Sequence, residues 1–278
     1  FMGIRDGVKF SSYVGVIQIG GLTIEVLPKS DRERAKESDV ERWHDVLLDM
    51  LRICKKINVN AVSESKLRRQ HRSILDLYFE VYLDEVEQLL RQGLVKKYRR
   101  IEGNATSLKG QILFGQHLQR NLIHQERFCT KHQVYDHVNP TNQILLEGLH
   151  AVSHFTLSPW LGQRTAQLIK AFPFHARKRI EAHHFNRLVE DRVVSRFQRA
   201  LNIAQMLLLH SSPSIQSGKD QMLALLFDMN TLWEEYIYHM LVQAATPEFE
   251  VRPQQHKPFW NSKSIRPDLV VTRTAEST

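Results

Sequence analysis

The spacing of apolar residues changes once near the start of the chain, and this change restricts the fold. Over residues 13–28, apolar residues alternate with others on both sides of Gly20-Gly21, which predicts two strands joined by a tight turn. From Val40 onward they recur every three or four positions, as on one face of a helix. We therefore expect a multi-domain α+β chain that opens with a small β-rich unit over residues 1–38.

Helical spacing governs the region that follows. The charged run over residues 29–42 mixes both signs and is expected to be a solvated connector or a first helical turn. Two apolar stripes then predict two helices. The first stripe consists of Trp43, Val46, Leu47, Met50 and Leu51, and the second of Ile74, Leu77, Tyr78, Val81, Tyr82, Val86, Leu89 and Leu90.

A mixed β segment near residues 94–137 interrupts these helices. Residues 108–114 are typical of a turn that leads into a strand, and residues 128–135 predict another strand. Pro140 marks a break, after which Thr141 or Asn142 is expected to cap a new helix. Helical patterns then continue to about residue 210, so residues 39–210 are expected to form a mostly helical middle region.

Small polar residues and helix breakers make residues 211–218 the clearest loop of the chain, and residues 211–278 are expected to form a further domain. Ser217 and Asp220 have the spacing of a capping box, which predicts that a helix begins there. Its apolar stripe consists of Met222, Leu225, Leu226, Met229, Leu232, Trp233, Tyr236, Ile237, Met240 and Leu241.

Strand patterns follow this helix. Residues 249–253 predict a short strand, residues 256–264 a loop, and residues 265–271 a strand that Pro267-Asp268 leads into. A carboxylate at the start of a strand, with a glutamate on a neighbouring helix, suits Mg²⁺ bound against a phosphodiester. Asp268 alone fits an ordinary turn residue equally well, and spacing does not choose between Glu234 and Glu235.

The charge of the chain favours a polyanionic partner. Lys and Arg total 38 against 30 Asp and Glu, which gives a formal net charge of +8. Lys96, Lys97, Arg99 and Arg100 surround Tyr98, and cations beside an aromatic ring suit contact with a nucleic-acid backbone. A basic surface strand explains the same residues equally well.

Other features exclude several classes of protein. Cys54 and Cys129 are far apart, so neither a disulfide framework nor a cysteine zinc site is expected. The adjacent His183 and His184 diverge on a helix and are not expected to bind one metal ion. No apolar run has membrane-spanning length and no signal segment opens the chain, which predicts a cytoplasmic protein without membrane contact.

Four segments in a fixed order resemble the McrC family, the nuclease subunits of the McrBC methylcytosine-dependent restriction systems. The segments are residues 13–29, residues 108–114, residues 138–144, and residues 227–237 followed by residues 266–271. The resemblance covers most of the chain. It implies a C-terminal nuclease domain of the PD-(D/E)xK fold, which cleaves double-stranded DNA with Mg²⁺.

The resemblance also assigns roles to particular residues. Asp268 is implied as the first acidic metal ligand, and Glu234 as the helix carboxylate, with Trp233 in place of the family's usual Phe. The family pattern requires a further strand that carries an acidic residue and a Lys, and this sequence does not contain that strand. We therefore expect that the nuclease domain is truncated and that the chain as given is inactive alone.

The partner implied by the resemblance is a ring of McrB-like AAA+ GTPase subunits. The N-terminal and middle regions would dock on this ring and stimulate GTP hydrolysis, while the partner would read methylcytosine. GTP would be bound by the partner, which agrees with the lack of a phosphate-binding loop in this sequence. Two alternatives stay open: a non-catalytic activator that keeps only a nuclease scaffold, and a basic DNA-binding protein without a ring partner.

Overall fold

A computed structural model describes residues 2–4, 7–9, 12–28, 37–56, 73–174, 176–186, 192–209, 211–213, 221–253, 257–260, 263–265 and 267–273. Internal contacts divide the chain into two units, Phe1–Val81 with His210–Thr278, and Tyr82–Leu209. The described residues mix α and β structure, as expected from the sequence. None of their helices is both long enough and apolar enough to cross a membrane.

The first unit contains the hairpin predicted around Gly20-Gly21. Strands β1 (Met2–Ile4) and β2 (Gly7–Lys9) form a small antiparallel pair, and β3 (Tyr13–Ile19) and β4 (Leu22–Val26) form the predicted hairpin. The β3 strand buries Val14, Val16 and Ile17. The hairpin is confirmed, but it is half of a larger sheet.

That sheet has the order β4-β3-β9-β8, where β8 is Ser211–Pro213 and β9 is Gln221–Asp228. β9 lies antiparallel to β3, with Tyr13 opposite Asp228 and Ile19 opposite Met222. Gly15 allows this pairing, because a Cβ atom there would lie 2.0 Å from the carbonyl oxygen of Leu225. Strands β3 and β4 therefore belong to a sheet that strands about two hundred residues later complete.

The predicted helix start near Ser217 and Asp220 is wrong for residues 221–228, which form β9. Met222–Phe227 is a continuous apolar run, and a strand between two others buries residues without helical spacing. Ser217 and Asp220 themselves lie outside the described residues. The helix begins one strand later, where the Asp228 side chain accepts a hydrogen bond of 3.0 Å from the Thr231 N–H and caps α8 (Met229–Ala244).

Two helices of the first unit pack together. Helix α1 (Glu37–Ile53) buries Leu47, Met50 and Leu51, as its stripe predicted, and it contacts α8. The thiol of Cys54 donates to the Leu232 carbonyl over 3.6 Å. Together these contacts anchor the helix that carries the candidate glutamates.

The C-terminal residues form two antiparallel strand pairs. Strand β10 (Phe249–Pro253) pairs with β13 (Leu269–Arg273), and β11 (Lys257–Trp260) pairs with β12 (Lys263–Ile265). The strands β10 and β13 confirm the pattern seen in the sequence. The loop predicted over residues 256–264 is wrong, because most of it forms the β11-β12 hairpin.

The second unit combines one sheet with a group of helices. Strands β5 (Lys97–Ala105), β6 (Gln111–Ile112) and β7 (Phe128–Asp136) form a sheet of order β5-β7-β6. The helices are α2 (Ile74–Gln92), which begins in the first unit, α3 (Phe114–Asn121), α4 (Pro140–Phe155), α5 (Pro159–Ala171), α6 (Ala182–Asn186) and α7 (Gln198–Leu209), with a 3₁₀ turn at Arg192–Phe197. The two strands predicted here are confirmed, although the first is only the short β6.

A buried asparagine pair links the start of α4 to the chain before β5. Asn139 caps the helix by accepting a hydrogen bond of 3.1 Å from the Asn142 N–H, and Pro140 takes the first helical position. The side-chain amides of Asn139 and Asn142 each donate to the Val95 carbonyl over 2.8 Å. The prediction of Thr141 or Asn142 as the cap is therefore wrong by two or three positions. Pro140 occupies the first helical position, so the cap is the residue that precedes it, Asn139.

Candidate functional site

Asp268 occupies an exposed bend immediately before β13. Its side chain makes no hydrogen bond or ion pair with another described residue. The pairing of Leu269 with Pro253 places this bend at the end of the β10-β13 pair. The carboxylate is thus open to solvent at a strand mouth, the position that the sequence predicted for it.

The two candidate glutamates on α8 have different surroundings. Glu235 forms an ion pair of 3.0 Å with Lys56, which follows α1. Glu234 is half-buried on the same helix. The structure therefore gives Glu235 a packing role between α1 and α8, which the sequence could not assign because residues 56 and 235 are far apart in the chain.

Strand β10 connects the elements that carry Asp268 and Glu234. It pairs with β13 along its whole length and also contacts α8. Mg²⁺ commonly takes one or two protein carboxylates together with waters and phosphate oxygens, so Asp268 and Glu234 stay the ligand pair predicted from the sequence. Among the described residues, no group of three or more His, Cys, Asp or Glu side chains makes a metal site by itself.

The four basic residues around Tyr98 do not form one patch. Lys96 is exposed before β5, and alternation along the strand puts Lys97 and Arg99 on one face and Tyr98 and Arg100 on the other. Arg99 forms an ion pair of 2.8 Å with Asp136. Desolvation raises the pKa of Asp136, but hydrogen bonds from Arg99 and from the Val138 N–H outweigh it and lower this pKa.

Arg100 belongs instead to a groove of about 850 Å³ in the sheet of the second unit. The groove is lined by Arg100, Lys109, Gly110, Gln111, Lys131, His132 and Gln133. Lys131 forms an ion pair of 2.6 Å with Glu102 across the β5-β7 pair. Lys109 and Lys131 could not be identified as groove residues from the sequence, because only strand pairing brings them beside Arg100.

Comparisons with known proteins give a family and several related structures. The family model described as McrBC 5-methylcytosine restriction system component matches residues 8–278. A search of curated proteins gives no significant match.

Two of the similar structures come from Thermococcus gammatolerans. A chain of the half-complex from a tetradecameric assembly of McrB AAA+ hexamers with bound McrC matches with a TM-score of 0.69 and 17% identity, over 94% of this chain and 60% of that one. A chain of the McrBC complex solved by cryo-EM matches with a TM-score of 0.60 and 17% identity, over 84% of this chain and 67% of that one. At this identity the likeness shows a shared fold, and the present chain spans about 60% of the first matched chain.

Proposed function

The chain belongs to the McrBC family of 5-methylcytosine restriction system components, and from this membership we propose that it is the endonuclease subunit of a GTP-driven restriction complex. The family match over residues 8–278 carries the proposal. In this role the protein would cleave double-stranded DNA at sites chosen by its partner. The C-terminal residues would supply the PD-(D/E)xK nuclease domain.

The proposed chemistry rests on the carboxylates of Asp268 and Glu234. These two side chains would hold Mg²⁺, which lowers the pKa of a bound water and offsets the charge that develops on phosphate. The open position of Asp268 supports its assignment, because a ligand to a substrate-bound ion must be reachable from solvent. Glu234 is chosen because the family resemblance assigns it as the helix carboxylate, and Glu235, which pairs with Lys56, is the alternative.

The proposed partner is a ring of McrB-like AAA+ GTPase subunits. The shared fold with chains from McrB–McrC assemblies supports this partner. The protein would stimulate GTP hydrolysis by the ring, and GTP itself would be bound by the partner.

A non-catalytic activator is the second candidate function. Such a protein would keep the nuclease scaffold without its metal-dependent chemistry. The ring partner would be stimulated in the same way, but no DNA would be cut.

One experiment separates the two candidates. The full-length protein, with the acidic residue and the Lys that the family pattern requires, is mixed with the McrB-type ring, GTP, Mg²⁺ and methylated plasmid DNA. GTP hydrolysis and DNA cleavage are measured in the same reaction. The proposed endonuclease raises GTP hydrolysis and cuts the plasmid. Stimulated hydrolysis with intact plasmid would support the activator, and the lack of any stimulation would reject both.

A further inference from the structure

Two tyrosines form an exposed aromatic pair on the sheet of the second unit. The rings of Tyr98 and Tyr135 lie opposite each other on β5 and β7, with their centroids 4.7 Å apart. The residues are 72% and 55% exposed. Large aromatic groups that stay in water beside one another are typical of binding surfaces.

The cationic groove lies on the same face as this pair. Two residues further along each strand, Arg100 is opposite Gln133, and then Glu102 is opposite Lys131. On the neighbouring strand Gln111 is opposite Lys131. The face therefore presents rings, then cations and amides, over about 14 Å at 3.4 Å per residue.

Two of the groove cations are available to a ligand. Arg100 and Lys109 form no ion pair with any described residue, whereas Lys131 is neutralised by Glu102. Anions entering the groove would thus meet two uncompensated positive charges. The side-chain amides of Gln111 and Gln133 also line the groove and supply both donors and acceptors.

The far end of this face is closed by α3. The amides of Asn104 and Asn121 exchange hydrogen bonds of 2.9 and 2.8 Å, and Asn121 also donates to the Arg127 carbonyl over 3.0 Å. This network holds the helix against the end of the sheet. A ligand would therefore reach from the tyrosine pair to the groove and stop at the helix.

We propose that this face binds a short single-stranded segment of nucleic acid, with bases stacked on Tyr98 and Tyr135 and phosphates beside Arg100 and Lys109. Exposed aromatic rings beside a cationic groove are typical of proteins that bind single-stranded nucleic acid, because only unpaired bases offer their flat faces for stacking. The bases of a duplex are already stacked within it. An acidic peptide could pair its carboxylates with Arg100 and Lys109, but it would give the exposed tyrosine rings nothing to stack on. This inference is independent of the proposed nuclease activity.

Binding of labelled oligonucleotides tests the proposal. Fluorescence anisotropy is measured with the purified protein and a twelve-nucleotide oligo-dT, a duplex of the same length, and polyglutamate as an acidic polymer without bases. We expect the oligo-dT to bind more tightly than the duplex and the polyglutamate. A single-stranded RNA of equal length shows whether the face distinguishes the sugar.

Matched variants locate the site. Tyr98→Leu and Tyr135→Leu are each expected to weaken oligo-dT binding about tenfold through the loss of one stacking contact, while Tyr98→Phe keeps the ring and retains affinity. The double variant Arg100→Gln with Lys109→Gln is expected to reduce the slope of log affinity against log salt by about 1.4, since each single-strand phosphate contact contributes about 0.7. Lys170→Gln, an exposed cation on α5, is the control and leaves binding unchanged.

Three outcomes would overturn the proposal. The first is equal binding of duplex and oligo-dT with no effect of the leucine variants, which would indicate attraction by charge alone. The second is binding of polyglutamate but not of oligo-dT, which would assign the face to an acidic protein. The third is wild-type binding by the Arg100→Gln, Lys109→Gln variant. Circular dichroism spectra matching the wild type ensure that any loss of binding is not a loss of fold.

Discussion

The carboxylate of Glu235 lies 3.0 Å from the ammonium group of Lys56, so that a residue just after α1 is tied to the middle of α8. The pair is about one-third exposed on each side, and an ion pair of this kind contributes modestly to stability. Its main consequence is for the adjacent glutamate. Recruitment of Glu235 to the proposed nuclease site would break this contact, and the family resemblance assigns the metal-binding role to the adjacent Glu234.

Glu234→Gln is expected to abolish DNA cleavage by the assembled complex, because a neutral amide binds Mg²⁺ poorly. Glu235→Gln serves as the matched control on the same helix and is expected to retain cleavage, with a loss of less than about 1 kcal/mol in stability. Plasmid nicking assays at saturating partner and GTP provide the measurement. If Glu235→Gln is the inactive variant, the assignment of the two glutamates is reversed.

Asp268→Asn is expected to lower the cleavage rate by at least about a hundredfold while stimulation of GTP hydrolysis by the ring is unchanged, since one charged metal ligand is lost. Glu248→Gln removes an exposed carboxylate in the turn before β10 and is the control for charge. Both reactions are followed with the same protein preparation. Wild-type cleavage by Asp268→Asn would show that this carboxylate is only a turn residue.

Asn139→Ala is expected to lower the free energy of unfolding by roughly 1 to 3 kcal/mol. The change removes the cap of α4 and one of the two hydrogen bonds to the Val95 carbonyl. Urea denaturation gives the value. Asn230→Ala, at an exposed position in the first turn of α8, is the comparison and should change stability by less than about 0.5 kcal/mol.

Gly148→Ala is expected to destabilise the protein by about 1 to 3 kcal/mol, because the new Cβ atom would lie 2.2 Å from the hydroxyl oxygen of Tyr82. The hydroxyl is held by a hydrogen bond of 2.7 Å to the Leu145 carbonyl, so the ring cannot easily move away. Thermal unfolding measures the effect. Gly162→Ala on α5 meets nothing closer than 3.7 Å and should leave stability equal or higher, which separates the clash from a general effect of alanine.

The Cys54 thiol gives a pH dependence with a definite sign. Burial, assisted by the negative charge of Glu235, raises its pKa from 9.0 to about 11. The folded protein therefore keeps a proton that the unfolded chain loses, and stability falls as pH rises from about 9 toward 11. Cys54→Ala is expected to lose less stability than the wild type between pH 8 and pH 10.5, measured by denaturant titration. Parallel losses in the two proteins would contradict the assignment.

Local sequence patterns are sufficient to predict several helices and strands of this fold. The hairpin around Gly20-Gly21, α1, α2 and β7 follow from the local spacing of apolar residues and from turn residues. β9 could not be predicted in this way. Its burial depends on β3, about two hundred residues earlier, and Met222–Phe227 carries no period of its own.

The candidate site shows the same limit. The sequence alone identifies Asp268 as a carboxylate at the start of a strand. It does not distinguish Glu234 from Glu235, because it does not show that Lys56 lies beside Glu235. Similarly, the basic residues near Tyr98 are contiguous in sequence and are separated by the alternation of β5. The groove takes its other cations from β7 and from the turn before β6, and only the register identifies them.

The pairing of β3 with β9 also sets an order of events during synthesis. Residues 13–19 are made about two hundred residues before their partner, residues 222–228. At 5 to 20 residues per second this interval is roughly 10 to 40 seconds. During this interval residues 82–209 are synthesised while the edge of β3 that β9 will cover stays unpaired. The nascent N-terminal hairpin thus exposes a strand edge that favours aggregation until β9 is made.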